Sequence, residues 1–167
     1  EGYTRGTPNV WVAMSYDAEL GMVYLPTGNA TPDFWAGFRT EADDKYGSSI
    51  VAVNVATGRP VWSFQTVHHD IWDFDVTGQP LVYDIPNDDG SVSKALSVTS
   101  KTGMIYLLDR TNGQPLADIK ELPVPQGNLV GERYSPTQPH SVGMPNIGND
   151  HLTEADMWGA TPFDQLM

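Results

Sequence analysis

The chain has 167 residues, enough for a domain-sized core, and contains no cysteine, so disulfides and thiolate metal sites are excluded within it. Its 21 acidic and 9 basic residues give a net charge of −12, which disfavours nucleic acids and anionic membrane surfaces as partners. The 16 glycines and 13 prolines leave little room for long helices, and no apolar run is long enough to cross a bilayer.

Short strands joined by turns are predicted along most of the chain. β-like runs at 11–17 and 22–27 form one predicted hairpin, and runs at 48–55 and 60–66 form a second. Further strands are predicted at 81–85, 91–100 and 104–108, single helical turns at 41–46 and 153–158, and extended proline-containing segments at 122–125 and 135–139. From Ile119 onward the strand pattern fades.

An internal repeat links two of these hairpins. Residues 53–61 match residues 108–116, and each copy ends a strand and then places Asn54 or Asp109 at a turn that contains a glycine. Four strands in a period of about 40–50 residues is the spacing of a β-propeller blade. With two copies, the alternative is a chance similarity between two hairpins.

Residues 68–75, with the sequence HHDIWDFD, form the densest group of chemically active side chains. They hold three carboxylates, two imidazoles and an indole within eight residues. Such a cluster indicates the rim of a site where an acid or base works against an aromatic wall. The alternative is an Asp-rich turn in which the tryptophan fills the core. His68 and Asp70 also have the spacing of part of an iron-binding triad, but nothing positions His140 or His151 as the third ligand.

Several segments resemble the quinoprotein dehydrogenases that use pyrroloquinoline quinone (PQQ). Residues 52–62 resemble that family's tryptophan-docking motif, in which the Trp of one blade packs against the turn of the next, with Asn54 where Asp is usual. The remaining matching segments are residues 68–75 for the active-site loop, 101–110 for the element after it, and 28–33 for the loop that contributes to the calcium site. The membrane-bound glucose dehydrogenase type is the most similar branch, through residues 66–73, 123–127, 135–139 and 155–161.

The resemblance covers essentially the whole chain and implies an all-β fold, namely about two blades plus loops of an eight-bladed β-propeller. It also implies that residues 1–167 are part of a propeller domain that continues at both ends. Because a blade buries its faces against two neighbours, we expect this part alone to be inactive and poorly folded.

The resemblance also assigns a role to each principal site residue. Asp73 matches the base that removes a hydroxyl proton, and Lys101 matches the lysine that reaches the quinone oxygens of PQQ. The alternatives are a turn carboxylate that caps backbone amides and a solvated lysine. Trp72 would contact the cofactor, while Asn29 or Thr31 would bind the metal, Ca²⁺ or Mg²⁺, and the sequence leaves that choice open.

Other polar and aromatic candidates surround this set. His68, His69 and Trp158 are predicted to line the substrate pocket, whereas Asp70 and Asp75 are predicted to hold the loop in shape.

The implied reaction is the PQQ-dependent oxidation of an aldose, glucose, to its lactone. Electrons would pass to ubiquinone at the periplasmic face of the bacterial inner membrane, with membrane attachment supplied by parts of the parent protein beyond these residues. The nearest alternative is a quinate/shikimate dehydrogenase, whose carboxylated substrate calls for an extra Arg or Lys in the pocket. An alternative of another class is a non-catalytic propeller that binds proteins, which has no use for Asp73 and Lys101 facing one cavity.

Overall fold

The computed structural model describes residue 6, residues 8–148, residues 153 and 156, and residues 158–166. Its elements in chain order are β1 (Ser15–Asp17), β2 (Met22–Pro26), α1 (Glu41–Tyr46), β3 (Ser49–Asn54), β4 (Arg59–Gln65), β5 (Leu81–Pro86), β6 (Val92–Thr99), β7 (Ile105–Asp109), β8 (Ile119–Pro123), β9 (Thr137–Ser141) and α2 (Pro162–Leu166). The strands and the helix predicted before residue 110 are confirmed, with ends shifted by a few residues. Within the described part of the chain, no helix is long and apolar enough to cross a membrane.

The strands form three antiparallel sheets. The first has four strands in the order β1-β2-β3-β4, the second has three in the order β5-β6-β7, and the third pairs β8 with β9. Within each sheet, consecutive strands are neighbours, which is the meander expected of propeller blades. The predicted all-β fold, a partial β-propeller, is therefore confirmed.

Burial alternates along β2, as expected when one face of a strand is covered, whereas residues 49–52 of β3 are buried without a break. In β2, Met22, Tyr24 and Pro26 are buried, and the residues between them are partly exposed. The main core lies between the first two sheets and comprises Met22, Tyr24, Ile50, Ala52, Val76, Leu96, Val98, Tyr106 and Leu108.

The two copies of the repeat form matching turns. The amide of Gly58 donates to the carbonyl of Asn54 at 2.8 Å, and the amide of Gly113 donates to the carbonyl of Asp109 at 2.7 Å. Both glycines have positive φ, 66° and 76°, which a residue with a Cβ rarely adopts. The repeat is therefore a shared backbone conformation.

Trp62 packs on the second of these turns. A Cβ added to Gly113 would lie 2.6 Å from Cε3 of Trp62, so only glycine leaves room for the indole. Nε1 of Trp62 also donates to the carbonyl of Arg110 at 3.2 Å. The tryptophan of one repeat thus covers the turn of the next, as the docking motif predicts.

Arg110 forms ion pairs at the same junction. Its Nε lies 2.5 Å from Oδ2 of Asp17 in the first sheet, and its Nη1 lies 2.6 Å from Oδ1 of Asp84 in the second. Tyr24 donates to the Arg110 carbonyl at 3.0 Å. Ionic and apolar contacts therefore fix the two sheets against each other.

The structure departs from the prediction after Ile119. Residues in β8 and β9 are extended, as predicted, but they also pair, with Glu121 opposite Pro139 and Pro123 opposite Thr137. A two-stranded hairpin tolerates proline because its outer edges need no N–H donor. Helix α2 was not predicted. The predicted turn at 153–158 lies partly outside the described residues. Of those described, Asp156 donates its amide to the Thr153 carbonyl at 3.0 Å.

Candidate active site

The loop of residues 67–75, here called the Asp73 loop, leaves β4 and ends where Val76 bridges to Ser100. Its backbone is strained at two positions, since φ is 45° at His69 and 62° at Asp73. Each such non-glycine residue costs about 1–3 kcal/mol and persists only when surrounding contacts hold it.

Asp70 supplies several of those contacts from a buried position. Its Oδ1 accepts the amide of Trp72 at 2.9 Å, and its Oδ2 accepts the amide of Phe74 at 2.8 Å and the hydroxyl of Ser48 at 2.5 Å. Burial raises the pKa of Asp70 and outweighs these hydrogen bonds, which lower it. Asp70 is a structural centre of the loop and does not face solvent.

Asp73 and Lys101 meet beside the loop. Nζ of Lys101 lies 2.8 Å from Oδ2 of Asp73 and 2.9 Å from Oδ2 of Asp75. Burial lowers the pKa of Lys101, but the hydrogen bonds to both carboxylates outweigh it, so this pKa lies above its usual value. An ammonium carries three N–H donors, and two are used here. About a third of each of the Lys101 and Asp73 side chains is exposed, 33% and 36%, so both remain accessible to a ligand.

Asp75 connects this pair to a third segment. Its Oδ1 accepts the amide of Asn29 at 2.5 Å, and its carbonyl accepts the amide of Lys101 at 3.1 Å. A Cβ on Gly28 would lie 3.0 Å from Nε1 of Trp11 and 3.2 Å from Oδ1 of Asp75. Asp75 therefore holds the loop as predicted, but its bridge to Asn29 and the position of Trp11 beside Gly28 were not predicted.

The two metal candidates differ in their surroundings. Asn29 is buried; its Oδ1 accepts the amide of Ala30 at 2.9 Å, and its Nδ2 donates to the carbonyl of Asp33 at 3.0 Å. Thr31 is exposed. Among the residues that the structure describes, no group of three or more His, Cys, Asp or Glu side chains is placed to hold a metal ion. An amide oxygen keeps a second lone pair, so Asn29 fits a hard cation that takes its other ligands elsewhere.

Both ring nitrogens of His69, and both of His68, contact other side chains of the protein. Nδ1 and Nε2 of His69 lie 3.0 Å from Asp44 and 3.2 Å from Glu132. The hydrogen bond to Asp44 is the main cause that raises the pKa of His69, and burial opposes it. His68 contacts Gln65 and Glu121, each at 2.9 Å. An iron-binding triad that includes His68 is therefore wrong for these residues, and His151 lies outside the described residues.

A cavity of about 440 Å³ borders the Asp73 loop. Its walls include Trp72, Phe74, Thr102, Tyr106, Gln138 and His140. The rings of Trp72 and Phe74 stack 5.9 Å apart at 20°. Along the chain, Trp72 directly precedes Asp73 and Thr102 directly follows Lys101, but neither Asp73 nor Lys101 itself lines the cavity.

The residues predicted to line the substrate pocket do not line this cavity, and their role stays a prediction. The rings of His68 and His69 contact the carboxylates of Glu121 and Asp44 instead. Trp158 does not line it either and is 87% exposed. His140, which the sequence offered only as a metal ligand, does line it. Its place on β9 depends on the unpredicted β8–β9 pairing, so no local signal could have found it.

Comparison with known proteins identifies the family. Residues 1–167 match the family model described as "PQQ: Glucose/ethanol/alcohol dehydrogenase, beta-propeller domain". The quinate/shikimate dehydrogenase (quinone) of Acinetobacter baylyi is 49% identical over 100% of this chain and 21% of its own length. Quinoprotein glucose dehydrogenase A of Acinetobacter calcoaceticus is 48% identical over 99% of this chain and 21% of its own length.

A solved structure supports the same assignment. A europium-containing methanol dehydrogenase superposes with a TM-score of 0.56 at 27% identity, covering 68% of this chain and 20% of that protein. The chain spans about a fifth of the length of the relatives that it matches. Together with the docked repeats and the three antiparallel sheets, these matches show that the chain belongs to the PQQ-dependent glucose/ethanol/alcohol dehydrogenase β-propeller family.

Proposed function

We propose that the parent protein is a PQQ-dependent dehydrogenase that oxidises a polyhydroxylated substrate, with Asp73 as the catalytic base. The observation that carries this proposal is the 2.8 Å contact between Asp73 and Lys101, in which about a third of each side chain, 36% and 33%, remains exposed. A base and a cation that share one accessible site are the two protein groups that such an oxidation needs. The names of the two relatives support this reaction class.

The residues beside the cavity fit PQQ. Its planar ring system suits the aromatic wall formed by Trp72 and Phe74, and its oxygens suit the remaining N–H donor of Lys101. When bound, PQQ would accept the hydride that leaves the substrate carbon, and with it the two electrons of the oxidation. We assign Trp72 and Lys101 to cofactor binding.

Asp73 is suited to the proton transfer. A carboxylate is ordinarily ionised at neutral pH and is able to accept a proton from a substrate hydroxyl. Its Oδ2 contacts Lys101, and Oδ1 receives no hydrogen bond from any residue that the structure describes. Oδ1 is therefore the atom that we expect to take the proton, while Lys101 holds the carboxylate in place.

A hard cation, Ca²⁺ or Mg²⁺, would use oxygen ligands near Asn29 or Thr31. The similarity to a europium-containing methanol dehydrogenase supports a metal in this family. Of the two candidates, we favour Asn29, because it is buried and its backbone N–H donates to Asp75, which also accepts from Lys101, the partner of Asp73. A cation there would act as a Lewis acid and polarise the quinone carbonyl of the cofactor.

For the substrate, we propose an aldose, glucose, oxidised to its lactone with ubiquinone as electron acceptor at the periplasmic face of the inner membrane. None of the described residues that line the cavity is Lys or Arg. A carboxylated substrate needs a cation in addition to Lys101, which we assign to the cofactor, so this lining agrees with a neutral sugar. Quinate or shikimate is the second candidate, because a relative at 49% identity bears that name.

The test uses the full-length protein stripped of cofactor. It is reconstituted with PQQ and Ca²⁺ and assayed with an artificial electron acceptor on glucose, quinate and shikimate. We expect PQQ-dependent turnover with glucose and little with the two carboxylates. Turnover confined to quinate or shikimate would select the second candidate. Absence of PQQ-dependent turnover with all three, and of any absorbance change on adding PQQ, would contradict the proposed function and favour a binding scaffold.

A further inference from the structure

A cluster of four ionisable side chains includes His69 of the Asp73 loop. His69 contacts Asp44 of α1 at 3.0 Å and Glu132 at 3.2 Å, and Arg133 contacts Asp44 at 2.8 Å. Only 9% of the His69 side chain and 1% of the Glu132 side chain are exposed. His69 and Glu132 therefore form a buried contact, while Arg133, with 61% of its side chain exposed, lies at the surface of the cluster.

The network joins three separate segments of the chain. Asp44 belongs to α1, His69 to the Asp73 loop, and Glu132 to the long connection between β8 and β9. Glu132 also accepts the amide of Ala36 at 2.6 Å, which adds the segment before α1. Each partner fixes one ring nitrogen, so His69 can neither turn nor shift without losing a contact.

His69 is also one of the strained residues of the loop. Its φ of 45° begins a segment that reaches Asp73, whose φ is 62°. A strained backbone persists only where contacts over-determine it. The contacts of Asp70 fix the middle of this segment, and the two carboxylates on His69 fix its start.

We propose that His69 is a positioning residue: held on both ring nitrogens by Asp44 and Glu132, it sets the backbone of the loop that presents Asp73 to Lys101. This inference rests on the proposed function of Asp73. It assigns a role to the connection between β8 and β9, which would reach the reacting atoms only through His69. The raised pKa of His69 agrees with a ring that donates to two carboxylates.

The test compares His69→Asn with His68→Asn in the full-length protein. Asparagine tolerates positive φ better than most residues, so His69→Asn removes the two contacts and keeps the backbone preference. His68 is the matched control, because its ring also contacts two side chains but its φ is ordinary. The readouts are amide hydrogen exchange of residues 67–75, kcat, KM and bound PQQ.

We expect His69→Asn to speed amide exchange in the loop by at least about 10-fold, since opening it requires breaking fewer contacts. We expect kcat to fall by about 10–100-fold through misplacement of Asp73, with KM and bound PQQ little changed. His68→Asn should leave loop exchange near the wild-type value. Asp44→Asn, which retains the shape of the carboxylate, should act in the same direction as His69→Asn and carries the test if that variant does not fold.

Two outcomes would overturn the proposal. One is loop exchange and kcat in His69→Asn, or in Asp44→Asn, equal to wild type. The other is an equal effect of His68→Asn on loop exchange. If wild type itself shows no PQQ-dependent turnover, the proposed function fails, and the exchange measurement alone still decides whether His69 holds the loop.

Discussion

The turn at Gly113 and the Asp73 loop solve the same problem, holding a positive φ, in opposite ways. At Gly113 the chain uses glycine and covers it with Trp62, so the geometry costs little and the contact is apolar. In the Asp73 loop, His69 and Asp73 carry the strain, and buried hydrogen bonds hold it. The first region gives stability, and the second keeps polar side chains in one accessible orientation. Substitutions in the two regions should therefore separate stability from turnover.

The largest effect is expected at the base. In the full-length protein, Asp73→Asn should lower steady-state turnover by about 10²–10⁴-fold, because the amide keeps the shape of the carboxylate but cannot accept a proton. Bound PQQ should remain close to wild type. Asp70→Asn should cost far less turnover, since the Asp70 carboxylate accepts hydrogen bonds from loop amides and Ser48, and holds the loop in shape. A greater loss in Asp70→Asn than in Asp73→Asn would contradict the assignment.

The next effect is expected at the ammonium. Lys101→Gln removes the charge that faces Asp73 and the cofactor, and loss of one such stabilising group costs about 10²–10³-fold in kcat. Lys101→Arg keeps the charge and should recover part of the activity. The measurement is kcat alongside PQQ affinity by titration. Full activity in Lys101→Gln would show that the contact with Asp73 is only a surface ion pair.

A third effect should appear in stability alone. Trp62→Ala removes the indole that covers Gly113 and its hydrogen bond to Arg110, and we expect a loss of about 3 kcal/mol in unfolding free energy. Trp62→Phe keeps the ring and should lose only about 1 kcal/mol with the hydrogen bond. Denaturant unfolding of the full-length protein gives both values. Folded Trp62→Ala protein should retain wild-type kcat. A loss of kcat without a loss of stability would contradict the assignment of Trp62 to stability alone.

The smallest effect concerns pH. Because the pKa of His69 is raised on folding, its contribution to stability is present below the ordinary histidine pKa and is lost as pH rises through the folded value. The pKa values of Asp44 and Glu132 are held low despite burial, so their contribution is lost only as pH falls through those low values. The difference in Tm between wild type and His69→Asn should therefore be largest near pH 6 and shrink as the pH rises. A difference that grows at alkaline pH would contradict the network.

The Gly113 turn could be predicted from the sequence because its determinants are local. Asp109 and Gly113 repeat the spacing of Asn54 and Gly58, and Trp62 completes a recognisable motif. The meeting of Asp73 with Lys101 followed from the family resemblance, and the structure brings the two side chains into contact.

The surroundings of the loop could not be predicted in the same way. The partners of His69 lie 25 and 63 residues away, at Asp44 and Glu132, and no periodic pattern marks either one. Pairing of β8 with β9 was missed because prolines interrupt both strands and most of their side chains are at least partly exposed. Long-range polar contacts of this kind leave no trace in local composition.

Asp73 is proposed to take the substrate proton, while Lys101 holds the Asp73 carboxylate beside the cofactor. A single-turnover experiment tests this most directly: full-length wild type and Asp73→Asn, each loaded with PQQ to the same measured stoichiometry, are mixed with substrate, and the absorbance of the bound cofactor is followed. We expect equal loading and a reduction rate at least about 100-fold slower in Asp73→Asn. Reduction of the cofactor in Asp73→Asn at the wild-type rate would contradict it.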